Sequence, residues 1–375
     1  MNEISHRERF KETFTFGEPD RVFFMPHWFW GSTINRWHTE GLPRDVYVDE
    51  FFGFDRYEFV PVNIGFLPPF EYEVYFENEE YKIYRTGDGC KVKEFKRCSE
   101  ASMPQWLEYP IKTRLDWERE VMPRLNPKSP ARYPLWWDDY VRWVRERDYP
   151  LGIYAGSYCG FIRNWMGLER LSRLIYVEPE LIKEIADYMA DFIIETIRRA
   201  VEEIELDFAI IWEDMAMKTG PLISPKKFKE LMVPACKKVC DFLHSNGINI
   251  ILLDSDGSID QLIPIWLDAG VTGVYPLEVA AGEDVVALRK KYGKRLAMFG
   301  GVDKRILARG RAEIERHLFQ DVKLPWMLMQ GGYTPLIDHS VPPDVSLENF
   351  TYYWSIVKDV AKDPLKYLEK CGEVE

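Results

Sequence analysis

The sequence has no run of lysine and arginine and no basic face; its net charge is −12. Without clustered cations to neutralise phosphates, nucleic acid is excluded as a partner, and the acidity serves mainly solubility. No stretch of ~18 apolar residues occurs, which excludes a helical membrane span. The start, Met1 to Arg9, is polar throughout and lacks the order of a signal peptide. Cysteine is scarce. The six residues Cys90, Cys98, Cys159, Cys236, Cys240 and Cys371 are scattered over 375 positions, which argues against a disulfide framework and predicts a reducing, cytoplasmic setting. Cys236 and Cys240, four apart, read as two buried thiols on one helix face. There is no H-E-x-x-H, no Cys/His cluster, and no G-x-G-x-x-G after a first strand.

Apolar residues, by contrast, make up 46% of the chain and aromatics 15%, ample for a large core. They recur in short runs: Val22–Pro26, Tyr57–Asn63, Leu151–Gly156, Phe208–Trp212, Ile248–Leu253, Val271–Tyr275, Leu296–Phe299 and Trp326–Met329. Continuous apolar runs of this length read as strands buried on both faces.

Helical patterns separate many of these runs. Pro179–Glu203 carries Leu181, Ile182, Ile185, Tyr188, Met189, Phe192 and Ile193 on one face. Ser224-Pro225 opens another helix, which ends near Asn246-Gly247. Ile259–Asp268 and Asp284–Lys291 follow, each closed by a glycine stop. Strands alternating with helices imply a parallel sheet, and eight of them imply closure into a (β/α)8 TIM barrel. The open doubly wound sheet is the alternative; it lacks its glycine fingerprint here. Glu71–Lys96 turns at Thr86-Gly-Asp-Gly89 and reads as a β-hairpin inserted after the second strand. Pro123–Arg145 reads as a long connection with a helix from Trp136. Residues 1–375 are thus read as a single barrel domain.

Chemistry in such a barrel comes from residues just past the strand ends. Those positions hold His27 and Trp28, Asn63, Ser157 and Tyr158, Glu213 and Asp214, Asp254 to Asp256, Glu278, Asp303, Tyr333, and Asp338-His339. Seven carboxylates around one rim cannot all ionise cheaply; some stay protonated, pair with cations such as Lys304, Arg305 and Arg163, or hold a metal. Oxygen ligands with one histidine would suit Zn2+, and the candidate ligands are Asp254, Asp256, His339 and Glu213. Beside them, Phe23, Phe24, Trp28, Phe29, Trp30 and Trp37, with His27 and His38, cluster near the first strand end. Some of these rings are core, and those in the loop imply a flat-walled apolar pocket.

Several ordered pieces carry a family resemblance: Arg7–Phe10, Pro19–Val22, Gly53–Arg56, Ser224-Pro225, Asp256-Gly257, Tyr292-Gly293, Gly300–Asp303, Gly331-Gly332, and His339 through Pro342-Pro343 to Asn349. In this order, from about Arg7 to Tyr353, the chain resembles the uroporphyrinogen decarboxylase superfamily. The resemblance implies the same (β/α)8 barrel. Decarboxylases of that superfamily carry an arginine-containing loop after the first strand; here that place holds Pro26–Ser32, without a guanidinium clamp. Asp55 matches the family's functional aspartate in part. The superfamily also includes methyltransferases that act with corrinoid proteins. In their cobamide–thiol branch a His-x-Cys pair and a later Cys hold zinc; here Asp254-Ser-Asp256 and His339 stand at those places. The remaining features, Trp212–Met215, Gly220–Pro225, Asp254–Gly257, Gly331–Tyr333 and Asp338-His339, are similar to methyltransferases that demethylate methoxylated aromatics.

The resemblance therefore implies an O-demethylase methyltransferase with a corrinoid (cobalamin) protein as partner and an aromatic methyl ether as substrate. Zn2+ is a candidate cofactor. Glu213, Asp254, Asp256 and His339 are the expected catalytic residues. His27, Trp28, Trp30, Asp55, Tyr158, Glu278, Asp303 and Tyr333 are the expected substrate-binding residues. A decarboxylase of an aromatic or porphyrinogen-like acid is the alternative, with Arg36, Arg56 or Arg163 as its carboxylate site. A non-catalytic corrinoid or small-molecule binding protein is the third reading. Relatives include dimers, and a homodimer stays open.

Overall fold

The computed structural model describes residues 4–97 and 103–372. In chain order its strands are β1 (Glu58–Phe59), β2 (Glu73–Glu77), β3 (Tyr81–Arg85), β4 (Lys91–Phe95), β5 (Gln105–Glu108), β6 (Leu151–Tyr154), β7 (Phe208–Trp212), β8 (Ala216–Met217), β9 (Gly220–Pro221), β10 (Ile251–Asp254), β11 (Gly273–Tyr275), β12 (Ala297–Phe299) and β13 (Tyr333–Thr334). Seven of them, β1-β6-β7-β10-β11-β12-β13, form one all-parallel sheet. The eighth place in the ring is taken by Val22–Met25, which makes no regular ladder. Its Phe24 carbonyl accepts from Asp55 N (2.9 Å), and its Phe23 carbonyl accepts from the Thr334 hydroxyl (3.1 Å). The segment so bridges the two sheet edges and closes a (β/α)8 TIM barrel.

Alternation along the strands sorts the core into two layers. Phe208 and Ile210 of β7, Leu252 of β10, Tyr275, Ala297 and Phe299 pack inside the ring, where Phe10 and Phe14 of the helix His6–Phe14 plug its lower end. Ala209, Ile211, Ile251, Leu253, Val274 and Met298 face the surrounding helices. Complete burial of one such phenylalanine contributes about 2–3 kcal/mol. The β6 position beside Phe208 is glycine, Gly152, because a Cβ there would stand 2.3 Å from the Phe208 ring.

The strand pattern holds for six of the eight runs, with boundaries shifted by a few residues. Trp326–Met329 is the correction: it belongs to the helix Leu324–Gln330, and the last strand is β13. Short apolar runs do not distinguish helix from strand. Here Pro325 suits the first turn, and Leu324 and Met327 are buried at helical spacing while Met329 is exposed. Pro179–Glu203 is one helix as predicted. The helix expected from Ser224 to Asn246 is two, Pro225–Leu231 and Val233–Ser245, interrupted at Met232 just before Pro234. The predicted hairpin is β3–β4, and it is the centre of a four-stranded antiparallel sheet, β2-β3-β4-β5, inserted between β1 and β6.

Among the described residues no helix is long and apolar enough to cross a membrane. Cys236 and Cys240 are buried on one face of their helix, and Cys90, Cys159 and Cys371 are buried free thiols; Cys98 lies outside the described residues.

Candidate active site

The parallel strands end on one face, and the carboxylates of three aspartates meet there. Asp254 closes β10. By alternation from Ile250 and Leu252 its side chain points into the ring. Asp256 follows two residues later, and Asp214 stands just past β7. Asp214 has φ +43, a left-handed conformation rare outside glycine, asparagine and aspartate; the turn aims its carboxylate across to β10, where Oδ1 accepts from the Asp256 N–H (3.3 Å). Trp28, Trp212, Pro276, His339 and Ser340 line, with the three aspartates, a cavity of about 210 Å³. Trp28 also stacks on Tyr275 (centroids 5.8 Å), which stacks on Phe299 (4.0 Å). Rings therefore floor the acidic cluster. A larger cavity of about 680 Å³ lies at the opposite end, where β7 and β10 begin, remote from the strand ends that carry chemistry in this architecture.

Burial pushes the Asp254 carboxyl well up from the ordinary carboxylate range, and the charges of Asp214 and Asp256 push it further; a hydrogen bond from Tyr275 opposes them. Asp214 is raised by burial and then by Asp256. His339 Nε2 lies 3.4 Å from Asp256 Oδ2, and this hydrogen bond raises the imidazole above its usual value against the opposing effect of burial. Glu278 flanks the pair: it accepts from the Gly257 N–H (3.0 Å) and approaches Lys304 (3.4 Å).

Of the expected catalytic residues, the fold brings Asp254, Asp256 and His339 together and turns Glu213 away. Trp212 faces the ring, so Glu213, the next residue, faces the helices. Its fully buried carboxylate accepts from the N–H groups of Tyr158, Cys159 and Gly160 (2.8–2.9 Å) and from the Ser157 hydroxyl (3.1 Å), capping the helix Gly160–Met166.

Of the expected binding residues, Trp28 lines the cavity and Glu278 adjoins it. His27 is buried between Phe54, Phe350 and Trp354, 3.2 Å from the Tyr353 hydroxyl; burial pulls its pKa down to about 3, so it is a neutral core histidine. Trp30 begins the helix Gly31–Thr39, and His38 bonds the Leu42 carbonyl (3.0 Å). Asp55 lies ahead of β1, hence at the opposite end, held by Arg9 and Arg21. Tyr158 and Tyr333 are buried, with hydroxyls on the Ala155 and Gly300 carbonyls. Asp303 caps Lys304–Leu307 and pairs with Arg305.

Among the described residues no group of three or more His, Cys, Asp or Glu side chains is placed to hold a metal ion. Glu213 is engaged at a helix N-terminus, and Asp256 and His339 engage each other.

The comparisons with known proteins agree with this architecture. The family model "Uroporphyrinogen decarboxylase (URO-D)" matches residues 144–360, more than half of the chain. Uroporphyrinogen decarboxylase 2, chloroplastic, of Oryza sativa subsp. japonica is 20% identical over 211 residues, 54% of this chain and 50% of that protein. Uroporphyrinogen decarboxylase of Hordeum vulgare is 20% identical over 211 residues, 54% of this chain and 58% of its own. The chain thus spans about half the length of these curated relatives. A methyltransferase from Methanosarcina mazei shares the fold: TM-score 0.60 and 13% identity, over 95% of this chain and 99% of that one. The matched segment contains β6 to β13 and the aspartates of the strand ends, and on that match the chain belongs to the uroporphyrinogen decarboxylase (URO-D) family.

Proposed function

We propose that this protein moves a methyl group from a methoxylated aromatic compound to the reduced corrinoid of a partner protein. The observation that carries the reading is the Asp254 carboxyl, desolvated and crowded by Asp214 and Asp256 at the floor of an aromatic-walled cavity. Burial and the two neighbouring carboxylates favour the protonated form of this carboxyl. A phenolate is a poor leaving group until its oxygen is protonated, and a buried neutral acid within reach of that oxygen supplies the proton as the methyl–oxygen bond breaks. Trp28 and Trp212 hold the ring between them and exclude water. Asp256 and His339, at the outer edge of the cavity and in contact with solvent, return the proton to Asp254 between turnovers. The corrinoid, when present, supplies the nucleophile that accepts the methyl group.

The cavity volume accommodates one substituted ring, whereas a tetrapyrrole has four. Decarboxylation of a polyacid also needs cations aimed at the substrate. Arg56 pairs with Glu58 and stacks on Tyr149 at the far end. Arg36 is bound to Glu40 and the Pro343 carbonyl, and Arg163 donates to the backbone carbonyl of Asp214. The test is incubation of the protein with a reduced corrinoid protein and a panel of methoxybenzenes. Release of the free phenol from at least one of them is expected; release of none, or loss of CO2 from an aryl acid instead, rejects the reading.

A further inference from the structure

The buried carboxylates of the two barrel ends are treated differently. At the lower end each has several cations: Asp55 meets Arg9 at 2.9 Å and Arg21 at 2.6 Å, and Asp207 meets Arg7, Lys11 and Arg147 at 2.8–2.9 Å. At the upper end Asp303 has one cation, Arg305, Glu213 is satisfied by backbone and hydroxyl donors, and Asp338 by the N–H groups of Lys304 and Val279. Asp214, Asp254 and Asp256 remain. Among the described residues the only side chain on the cavity wall that can carry positive charge is His339. The Arg163 guanidinium reaches the main-chain oxygen of Asp214 rather than its carboxylate and lies over the Trp212 ring, 5.4 Å from its centroid. Lys304 is turned to Glu278.

Carboxylates gathered in a partly dry cavity without counter-charges cost stability. A ligand that brings the missing cation offsets that cost. The walls favour an arene to carry that cation, because the indoles of Trp28 and Trp212 offer aromatic surface to its ring.

Resting on the methyl-transfer reading above, we infer that the substrate is an aromatic methyl ether bearing an ammonium group, with Asp214 and Asp256 as the residues that select it. Its ring lies between Trp28 and Trp212, its methoxy group is directed down to Asp254, and its ammonium stays at the outer edge between Asp214 and Asp256. Neutral ethers of the same shape fill the cavity but bring no cation, leaving three carboxylates to the single imidazole of His339, and aryl carboxylates meet repulsion.

Calorimetric titration of the whole protein with para-methoxybenzylamine, para-methoxybenzyl alcohol and para-methoxybenzoate tests this. The amine is expected to bind about tenfold or more tighter than the alcohol, with the advantage shrinking as salt is raised and no binding of the benzoate. D214N and D256N are expected to abolish most of the amine's advantage over the alcohol, and circular dichroism reports that the variants are folded. Equal wild-type affinities for amine and alcohol overturn the inference, and so does an advantage that survives in both variants. The two readings fail separately. Equal phenol release from amine and alcohol removes the charge preference and leaves demethylation standing. Selective amine binding with no phenol released from any ether does the reverse.

Discussion

His339 Nε2 lies 3.4 Å from Asp256 Oδ2, so the loop after β13 is joined to the loop after β10 across the mouth of the cavity. Asp256 raises the imidazole. The stability this adds is fully present below the unfolded histidine range and is lost as pH rises through the folded value. Replacing Asp256 by Asn should lower the His339 pKa toward its ordinary value. An NMR titration of the ring protons reads this directly, and an unchanged midpoint would show that Asp256 is not the partner that holds the proton.

Asp254 is the residue on which catalysis should depend most steeply. Asp254→Asn keeps the shape and the contact with Tyr275 but has no acidic proton to give to a departing oxygen. Phenol release should fall by about 10²–10⁴-fold, with ligand affinity changed far less. Because the carboxyl must be protonated to act, activity should also decline as pH rises through its elevated pKa, and D254N should show no such limb. An alkaline limb of the same shape in D254N would assign it to another group.

The barrel was legible because the strands are buried on both faces, and runs such as Phe208–Trp212 and Ile251–Asp254 leave a continuous apolar signature. The last strand was not: Tyr333–Thr334 is two residues long and follows two glycines, whereas the apolar run before it is a helix. The rim of the site was legible as a list of strand-end acids, but not which of them face inward. Phase decides that. Phe208, Ile210 and Trp212 share one face of β7, Ala209, Ile211 and Glu213 the other, so two-residue alternation, applied to the last strand position, already turns Glu213 outward and Asp254 inward. Asp214 escapes this rule because its left-handed backbone breaks the alternation, and nothing in its neighbours' identities announces that turn. His27 and Asp55 stood beside a strand in the sequence, yet one points into the aromatic core and the other lies at the opposite end.

Glu213 should therefore behave as a structural residue. Glu213→Ala leaves three buried N–H groups and a hydroxyl without their acceptor, a loss on the order of 3 kcal/mol or more. Thermal unfolding should show a large drop, while the folded fraction still binds ligands that fill the cavity. A variant of wild-type stability that has lost only turnover would return Glu213 to the catalytic machinery.

At the lower end, Asp207 couples folding to acid. Burial alone would raise this carboxylate, but Arg147, the Leu151 N–H, Arg7 and Lys11 outweigh it and hold it below the ordinary range. A group depressed in the folded state stabilises above its unfolded pKa, and that stability disappears as pH falls through the folded value. Asp207→Asn removes the charge on which three cations converge and leaves Arg147, nearly fully buried, without its carboxylate. A loss of about 3–5 kcal/mol near neutral pH follows, measured by denaturant unfolding. The variant should differ from wild type less and less below about pH 4, where the unfolded carboxylate also takes up its proton. A stability difference that does not change with pH would show that packing around Asp207, rather than its charge, is what the substitution removes.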